Sequence, residues 1–331
     1  MKNKKIAFGD GLKRFSAPGG YIFLKGKKDL ITLLDYSDAQ IVEFIDSADK
    51  LKKQKGKLRA DLKGKTVALL FQKPSNRTRV SFSVGVHELG GHALYLGPEE
   101  ISLGKRESTH DVAKTLARYA HCIVARVFHH RDIVELARYA DVPVINALCD
   151  LHHPCQALAD IQTVREQFGK WKGLTLTYVG DGNNVFHSLM IACAKVGMNV
   201  RFAGPDGYDP DPQILKAGRA IARKNGAAIE CGRDPKAAVK GAQVVYADVW
   251  VSMGQDKESA GRIKDFKAYQ INGDLVKHAA QDHIFMHCLP AHRGLEVTEE
   301  VIDGKHSVIF DQAENRLHAQ KAVLLYLLKE Q

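Results

Sequence analysis

Lys65-Thr66-Val67-Ala68-Leu69-Leu70 is an apolar, strand-like run, and it breaks into Phe71-Gln72-Lys73-Pro74-Ser75-Asn76-Arg77-Thr78-Arg79 ahead of a stretch patterned like a helix. Strand, polar loop and helix in that order are the repeating unit of a parallel α/β sheet. The loop also has the make-up of an anion seat. Ser75 and Thr78 supply hydroxyl donors, Arg77 and Arg79 supply planar charges, and the free N–H groups of a helix's first turn face whatever binds there. An ordinary helix start, with Ser75 as N-cap and two solvated arginines, explains the same residues, and the stretch alone leaves both readings open.

Similar apolar runs recur at 122–127, 142–145, 174–179, 199–203, 244–247, 284–287 and 307–310, with helical patterns between them. Such alternation predicts α/β domains with parallel sheets. Ser37 and Gln40 form a capping box ahead of a helix whose inner face is Ile41, Phe44, Ile45, Ala48 and Leu51. A second helix is predicted over 154–168, where Ala157, Leu158, Ile161, Val164 and Phe168 form a stripe and Gly169 ends it. One sheet thus ends near Asp150, a second of similar size spans 174–310, and a final helix over 313–328 has no strand after it.

A chain of 331 residues suits two domains. With 45% hydrophobic and 26% charged residues it has globular composition, and no apolar run approaches membrane-spanning length. No signal-peptide pattern follows the basic start, so a cytoplasmic protein is expected. The six cysteines are spread without a C-x-x-C pair, which favours reduced thiols over bridges. The net charge of +10 comes from scattered lysines and arginines rather than a nucleic-acid motif, and an anionic small substrate accounts for it as well.

Open parallel sheets bind ligands at the carboxyl ends of their strands, and four further polar clusters fall there. His152-His153-Pro154-Cys155-Gln156 places an imidazole at a helix start and an amide beyond it. Together these groups can orient a carbamoyl unit, the imidazole donating to its oxygen and the Gln oxygen accepting from its nitrogen. Zinc is the rival, with His153, Cys155, His287 and Cys288 as plausible ligand types, but no spacing matches a zinc site. Gly180-Asp181-Gly182-Asn183-Asn184-Val185 lacks the third glycine of a dinucleotide fingerprint, so Asn184 reads as a ligand for an amino acid or as a turn former. Asp248-Val249-Trp250-Val251-Ser252-Met253-Gly254 puts a carboxylate at a strand end, suited to a cationic amine. His287-Cys288-Leu289-Pro290 puts a thiol and a carbonyl beside the same crevice, and Arg316 begins the last helix.

Taken in order, these segments resemble the ornithine carbamoyltransferases, in which Ser-x-Arg-Thr-Arg, His-Pro-x-Gln, Gly-Asp-x-Asn-Asn, Asp-x-Trp-x-Ser-Met-Gly and His-Cys-Leu-Pro follow one another. The resemblance spans from about Lys28 to the C-terminus. It implies two doubly wound parallel-sheet α/β domains of similar size, the first over 1–153 plus 314–331 and the second over 154–313, the C-terminal helix returning to the first. It assigns carbamoyl phosphate to Ser75, Asn76, Arg77, Thr78, Arg126, His153, Pro154, Cys155, Gln156, Cys288, Leu289 and Arg316, and ornithine to Asn184, Asp248, Ser252 and Met253. Cys288, Arg126 and His153 take the catalytic roles, and no metal or organic cofactor is implied.

The resemblance further implies a homotrimer in which a loop near 100–107 of the neighbouring chain reaches the site. Ser102 stands where some relatives have Gln, and Asn76 stands where Thr is commoner. Aspartate carbamoyltransferase shares the phosphate logic but needs cations for a second carboxylate, whereas Asp248 and the Ser252-Met253-Gly254 run suit an amine-bearing amino acid. A non-catalytic metabolite-binding or nucleic-acid-binding protein leaves His153 and Cys288 without work.

Overall fold

The computed structural model describes residues 28–101, 103–104, 106–251 and 259–328. In the first half α1 (Asp38–Lys52) precedes β1 (Thr66–Phe71), α2 (Asn76–Glu88), β2 (His92–Leu96), α3 (Pro98–Ile101), α4 (Thr109–Tyr119), β3 (Cys122–Arg126), α5 (His130–Tyr139) and β4 (Val144–Leu148). The bridging helix α6 (Pro154–Phe168) leads to β5 (Thr175–Val179), α7 (Asn184–Lys195), β6 (Asn199–Ala203), α8 (Pro212–Lys224), β7 (Ile229–Gly232), α9 (Pro235–Val239) and β8 (Val244–Ala247). Then come α10 (Ser259–Phe266), α11 (Gly273–Val276), β9 (Ile284–His287), α12 (Glu299–Ile302) and α13 (Ile309–Leu328).

The predicted capping box on α1 is present, with Gln40 N–H on Ser37 Oγ at 3.2 Å and Ser37 N–H on Gln40 Oε1 at 2.8 Å. Gly169 closes α6 with φ 69°, a conformation glycine adopts without strain. All strand pairs are parallel, in the orders β2-β1-β3-β4 and β7-β6-β5-β8-β9. In each sheet the order reverses once, between β1 and β3 and between β5 and β8. Loops on either side of such a reversal leave in opposite directions and open a crevice between them. The two crevices face one another, since β1 feeds the Ser75 loop while β5 and β8 feed the Asn184 turn and Asp248.

One hydrophobic cluster runs through α1, α6, α7 and α13 and both sheets, so the two halves share a core. Smaller clusters fill the far face of each sheet. The C-terminal helix packs on α1, α2 and α6. A buried ion pair from Lys321 on α13 to Glu88 on α2 ties it to the first domain.

Three strand predictions match to the residue, at 199–203, 244–247 and 284–287. The run at 307–310 is not a strand. It makes a single bridge from Ser307 to Phe285 and then enters α13, which therefore begins at Ile309 rather than at 313. A four-residue apolar run carries no periodicity with which to separate strand from buried helix. The outer strands β2 and β7 went unpredicted: β7 has no continuous apolar run, and the apolar run 93–96 of β2 lies on a partly exposed edge with no buried residue.

Candidate functional site

A cleft of about 310 Å³ opens where the two crevices meet. Its first wall is built on α2 and β3. Ser75 caps α2, accepting from Thr78 N–H at 3.4 Å, so capping and cleft lining are served by the same residue. β1 and β3 pair with Phe71 opposite Arg126, which brings Arg126 level with the start of the Ser75 loop. From α13, Arg316 reaches back and donates to Thr78 Oγ1 at 3.3 Å and to Gln156 Oε1 at 2.6 Å. Arg77, Arg126, Arg316 and Lys73 all line the cleft.

No carboxylate among the described residues forms an ion pair with any of these four cations, and the buried Nε of Arg126 has no hydrogen-bond partner. Burial, then the neighbouring Arg316 and Arg77, push the Arg126 guanidinium down to about 10. Burial, then Arg126, pull the Lys73 ammonium down to about 8. Cations that depress one another in a buried pocket form a site that an anion relieves. His153, enclosed at the start of α6, is held well below the usual imidazole range by burial and then by Arg316 and Arg126. It is a neutral ring, and its buried Nδ1 has no hydrogen-bond partner among the described residues.

The facing wall has the opposite character. Ala247 pairs with Val179 on one side and His287 on the other, so Asp248 and Cys288 leave adjacent strands at the same height. Cys288 Sγ donates to Asp248 Oδ1 at 3.0 Å, and Asn183 Nδ2 donates to Asp248 Oδ2 at 2.8 Å. Burial and the Asp248 charge push the Cys288 thiol well above its usual range, so it is a thiol and not a thiolate. Asn183 Oδ1 also caps α7, accepting from Val185 and Phe186 N–H at 2.9 and 3.2 Å. Asn184, freed from that task, lines the cleft and donates to the Cys149 carbonyl at 2.6 Å. Gly182 is required for packing: a Cβ there would lie 2.2 Å from Pro210 N. Leu289, at φ 57°, is the only described non-glycine residue with positive φ, and its N–H donates to His287 Nδ1 at 2.9 Å.

The structure therefore brings Ser75, Arg77, Thr78, Arg126, His153, Asn184, Asp248, Cys288, Leu289 and Arg316 to one cleft. Asn76, Pro154, Cys155 and Gln156 stand outside the lining, Asn76 on the exposed side of α2 and Gln156 behind Arg316. Arg79 belongs elsewhere: its guanidinium stacks 3.8 Å from the Tyr95 ring centroid, on the exterior. Ser252 and Met253, and Ser102 of the neighbour-loop expectation, lie outside the described residues. Lys73, Asn183 and His292 were missed. Lys73 sat inside the quoted motif, and its place one residue before Pro74 was the available signal. Among the described residues no group of three His, Cys, Asp or Glu side chains is arranged to hold a metal ion.

Comparison with known proteins gives two matches that divide the chain between them. Residues 28–166 match the model of the aspartate/ornithine carbamoyltransferase carbamoyl-P binding domain, and residues 172–327 match that of the Asp/Orn binding domain. The chain is similar to the ornithine carbamoyltransferase of Thermococcus kodakarensis, 52% identical over 91% of this chain and 96% of that protein. Similarity to the anabolic ornithine carbamoyltransferase of Pyrococcus furiosus is also 52%, over the same shares. The solved Pyrococcus furiosus structure superposes with a TM-score of 0.87 at 53% identity, covering 92% of this chain and 97% of that one. For the Thermus thermophilus enzyme the TM-score is 0.83 at 46% identity, covering 91% and 99%.

Proposed function

The chain belongs to the aspartate/ornithine carbamoyltransferase family, and from that premise we propose how its cleft works. It transfers the carbamoyl group of carbamoyl phosphate to the side-chain amine of L-ornithine, giving L-citrulline and phosphate. The observation that carries the division of labour is the pairing of a wall of cations, without carboxylate partners among the described residues, with a wall built on Asp248. The phosphate dianion belongs on Ser75, Arg77, Thr78 and Arg126 with the first-turn N–H groups of α2, including that of Asn76. Arg316 and Lys73 complete that charge balance.

The carbamoyl oxygen belongs on Thr78, Arg126 and the neutral His153, which donate into charge that grows as the tetrahedral intermediate forms. The Gln156 oxygen and the Leu289 carbonyl accept from the carbamoyl nitrogen. The first turn of α6, with Pro154 and Cys155, shapes this end of the site. On the other wall Asn184 and Asp248, with Ser252 and Met253, hold the amino-acid end of ornithine. The side-chain ammonium, with a pKa of about 10, must lose a proton before it attacks carbon. Asp248 is the acceptor we favour, directly or through the Cys288 thiol whose proton it already receives. The second proton leaves on the departing phosphate.

Purified protein is expected to form citrulline from carbamoyl phosphate and ornithine without added metal, read by colorimetric or mass assay. Product from aspartate or putrescine instead, with none from ornithine, overturns the assignment. Lys73 supplies a pH test. A lysine lowered to about 8 is charged below that pH and neutral above it, so its attraction for phosphate fades as pH rises through 8. kcat/KM for carbamoyl phosphate, at saturating ornithine, should therefore fall severalfold from pH 7 to 9. Lys73→Met should flatten that limb, and an unchanged profile would exclude the role.

The homotrimer reading is supported by apolar side chains left exposed on the first domain, Val80 and Val84 on α2 and Leu94 on the edge strand β2, at 52%, 39% and 40%. The segment that follows β2 is the one read as reaching a neighbour's site. Among the described residues no helix is long and apolar enough to cross a membrane. A cytoplasmic role in arginine metabolism, without nucleic-acid partners, is the setting we propose.

A further inference from the structure

Asp160 lies at the domain junction with no exposed surface, and no ion pair to it is formed among the described residues. Its Oδ1 accepts from Gln156 Nε2 at 2.8 Å and from Gln312 Nε2 at 2.7 Å, and its Oδ2 accepts from the Tyr246 hydroxyl at 3.2 Å. Each glutamine passes the contact on. Gln156 Oε1 accepts from Arg316 Nη1 at 2.6 Å, and Gln312 Oε1 accepts from His287 N–H at 2.9 Å, one residue before Cys288.

A glutamine amide has a donor end and an acceptor end, and its orientation follows from its neighbours. Arg316 can only donate and a carboxylate can only accept, so Gln156 between them has one satisfied orientation. We propose that Asp160 is a positioning residue for carbamoyl phosphate, setting through Gln156 the direction of the amide oxygen and the seat of Arg316. The inference rests on the reading of Gln156 and Arg316 as carbamoyl phosphate ligands. Without an acceptor at 160, the Gln156 amide is free to turn its NH2 toward Arg316, where two donors meet. Nη1 of the guanidinium then loses its acceptor, while Nη2 keeps Thr78 Oγ1 as its partner.

The idea predicts an asymmetry between two substitutions. Asp160→Asn keeps an oxygen for both glutamines and offers its NH2 to the Tyr246 oxygen, so it preserves the acceptor and removes the charge. Asp160→Leu removes both. KM for carbamoyl phosphate should rise at least 30-fold in Asp160→Leu and stay within about fivefold of the parent in Asp160→Asn, with KM for ornithine within threefold in both. If Asp160→Leu does not fold, Asp160→Ala replaces it, since water filling the space imposes no donor or acceptor polarity. Equal losses in the Asn and apolar variants overturn the orienting role. So does an unchanged carbamoyl phosphate KM in the apolar variant while Arg316→Ala raises it. An Arg316→Ala enzyme that keeps its carbamoyl phosphate KM overturns the binding reading instead, and the inference with it.

Discussion

Arg77→Ala should lower kcat/KM for carbamoyl phosphate by two to three orders of magnitude while KM for ornithine, at saturating carbamoyl phosphate, moves less than threefold. Arg77 sits in the first turn of α2 and lines the cleft, and no carboxylate among the described residues pairs with it there. Burial depresses its pKa, the unfavourable part of a balance that a bound dianion reverses. Each charge-assisted contact contributes about 1.5–3 kcal/mol, and a forked pair on phosphate oxygens reaches about 3–4. At about 1.4 kcal/mol per decade, that difference is the stated range. Arg77→Lys should recover only part of it, because a point charge replaces a fork. Equal damage to ornithine and carbamoyl phosphate kinetics would remove Arg77 from the phosphate half of the site.

Of the loop quoted from the sequence, Ser75, Arg77 and Thr78 line the cleft, Arg79 does not, and Lys73 does. From the residues alone Arg77 and Arg79 are equivalent donors two positions apart, yet on a helix that spacing turns them about 200° from one another. One lines the cleft and the other stacks on Tyr95. Lys73 moves the other way, into the cleft, because the chain leaving β1 has not yet begun its helix. Asn183 and Asn184 show the same limit. Adjacent identical side chains at a strand-to-helix turn divide capping from cleft lining, and their roles follow from the rotation of the first turn.

Central strands were legible because both their faces are buried, which forces a run of apolar residues. The outer strands β4 and β9 share that burial and were legible too, whereas β2 and β7 were not, since β7 alternates burial and β2 has no buried position. The Asp160 network was beyond sequence reasoning for a different reason. Its meaning lies in partners 152 residues apart, Asp160 and Gln312, and neither residue is unusual in its own helix. Polar side chains in a helix read as a solvated face until a second element covers them.

The second large effect is on stability, at the contact that returns α13 to the first domain. Lys321→Ala is expected to destabilise the fold by about 3–5 kcal/mol, measured as a lower denaturant midpoint with unchanged slope. The Lys321 and Glu88 side chains are only 3% and 12% exposed, so removing the cation leaves a carboxylate in a site from which water is largely excluded. The pair itself is not the source of the stability. A Lys321→Met, Glu88→Gln double variant deletes both charges and keeps the volume, and it should recover most of the loss. The Lys321 aliphatic stem also packs 3.1 Å from where a Cβ on Gly85 would stand, so methionine fits where a branched residue would press on α2. Arg316 lies on the same helix, five residues or more than one turn away. If α13 is held to α2 chiefly by this region, the Ala variant should also raise KM for carbamoyl phosphate below its unfolding midpoint, and the double variant should not. A double variant as unstable as Lys321→Ala would show that the packing of α13 requires the charges themselves.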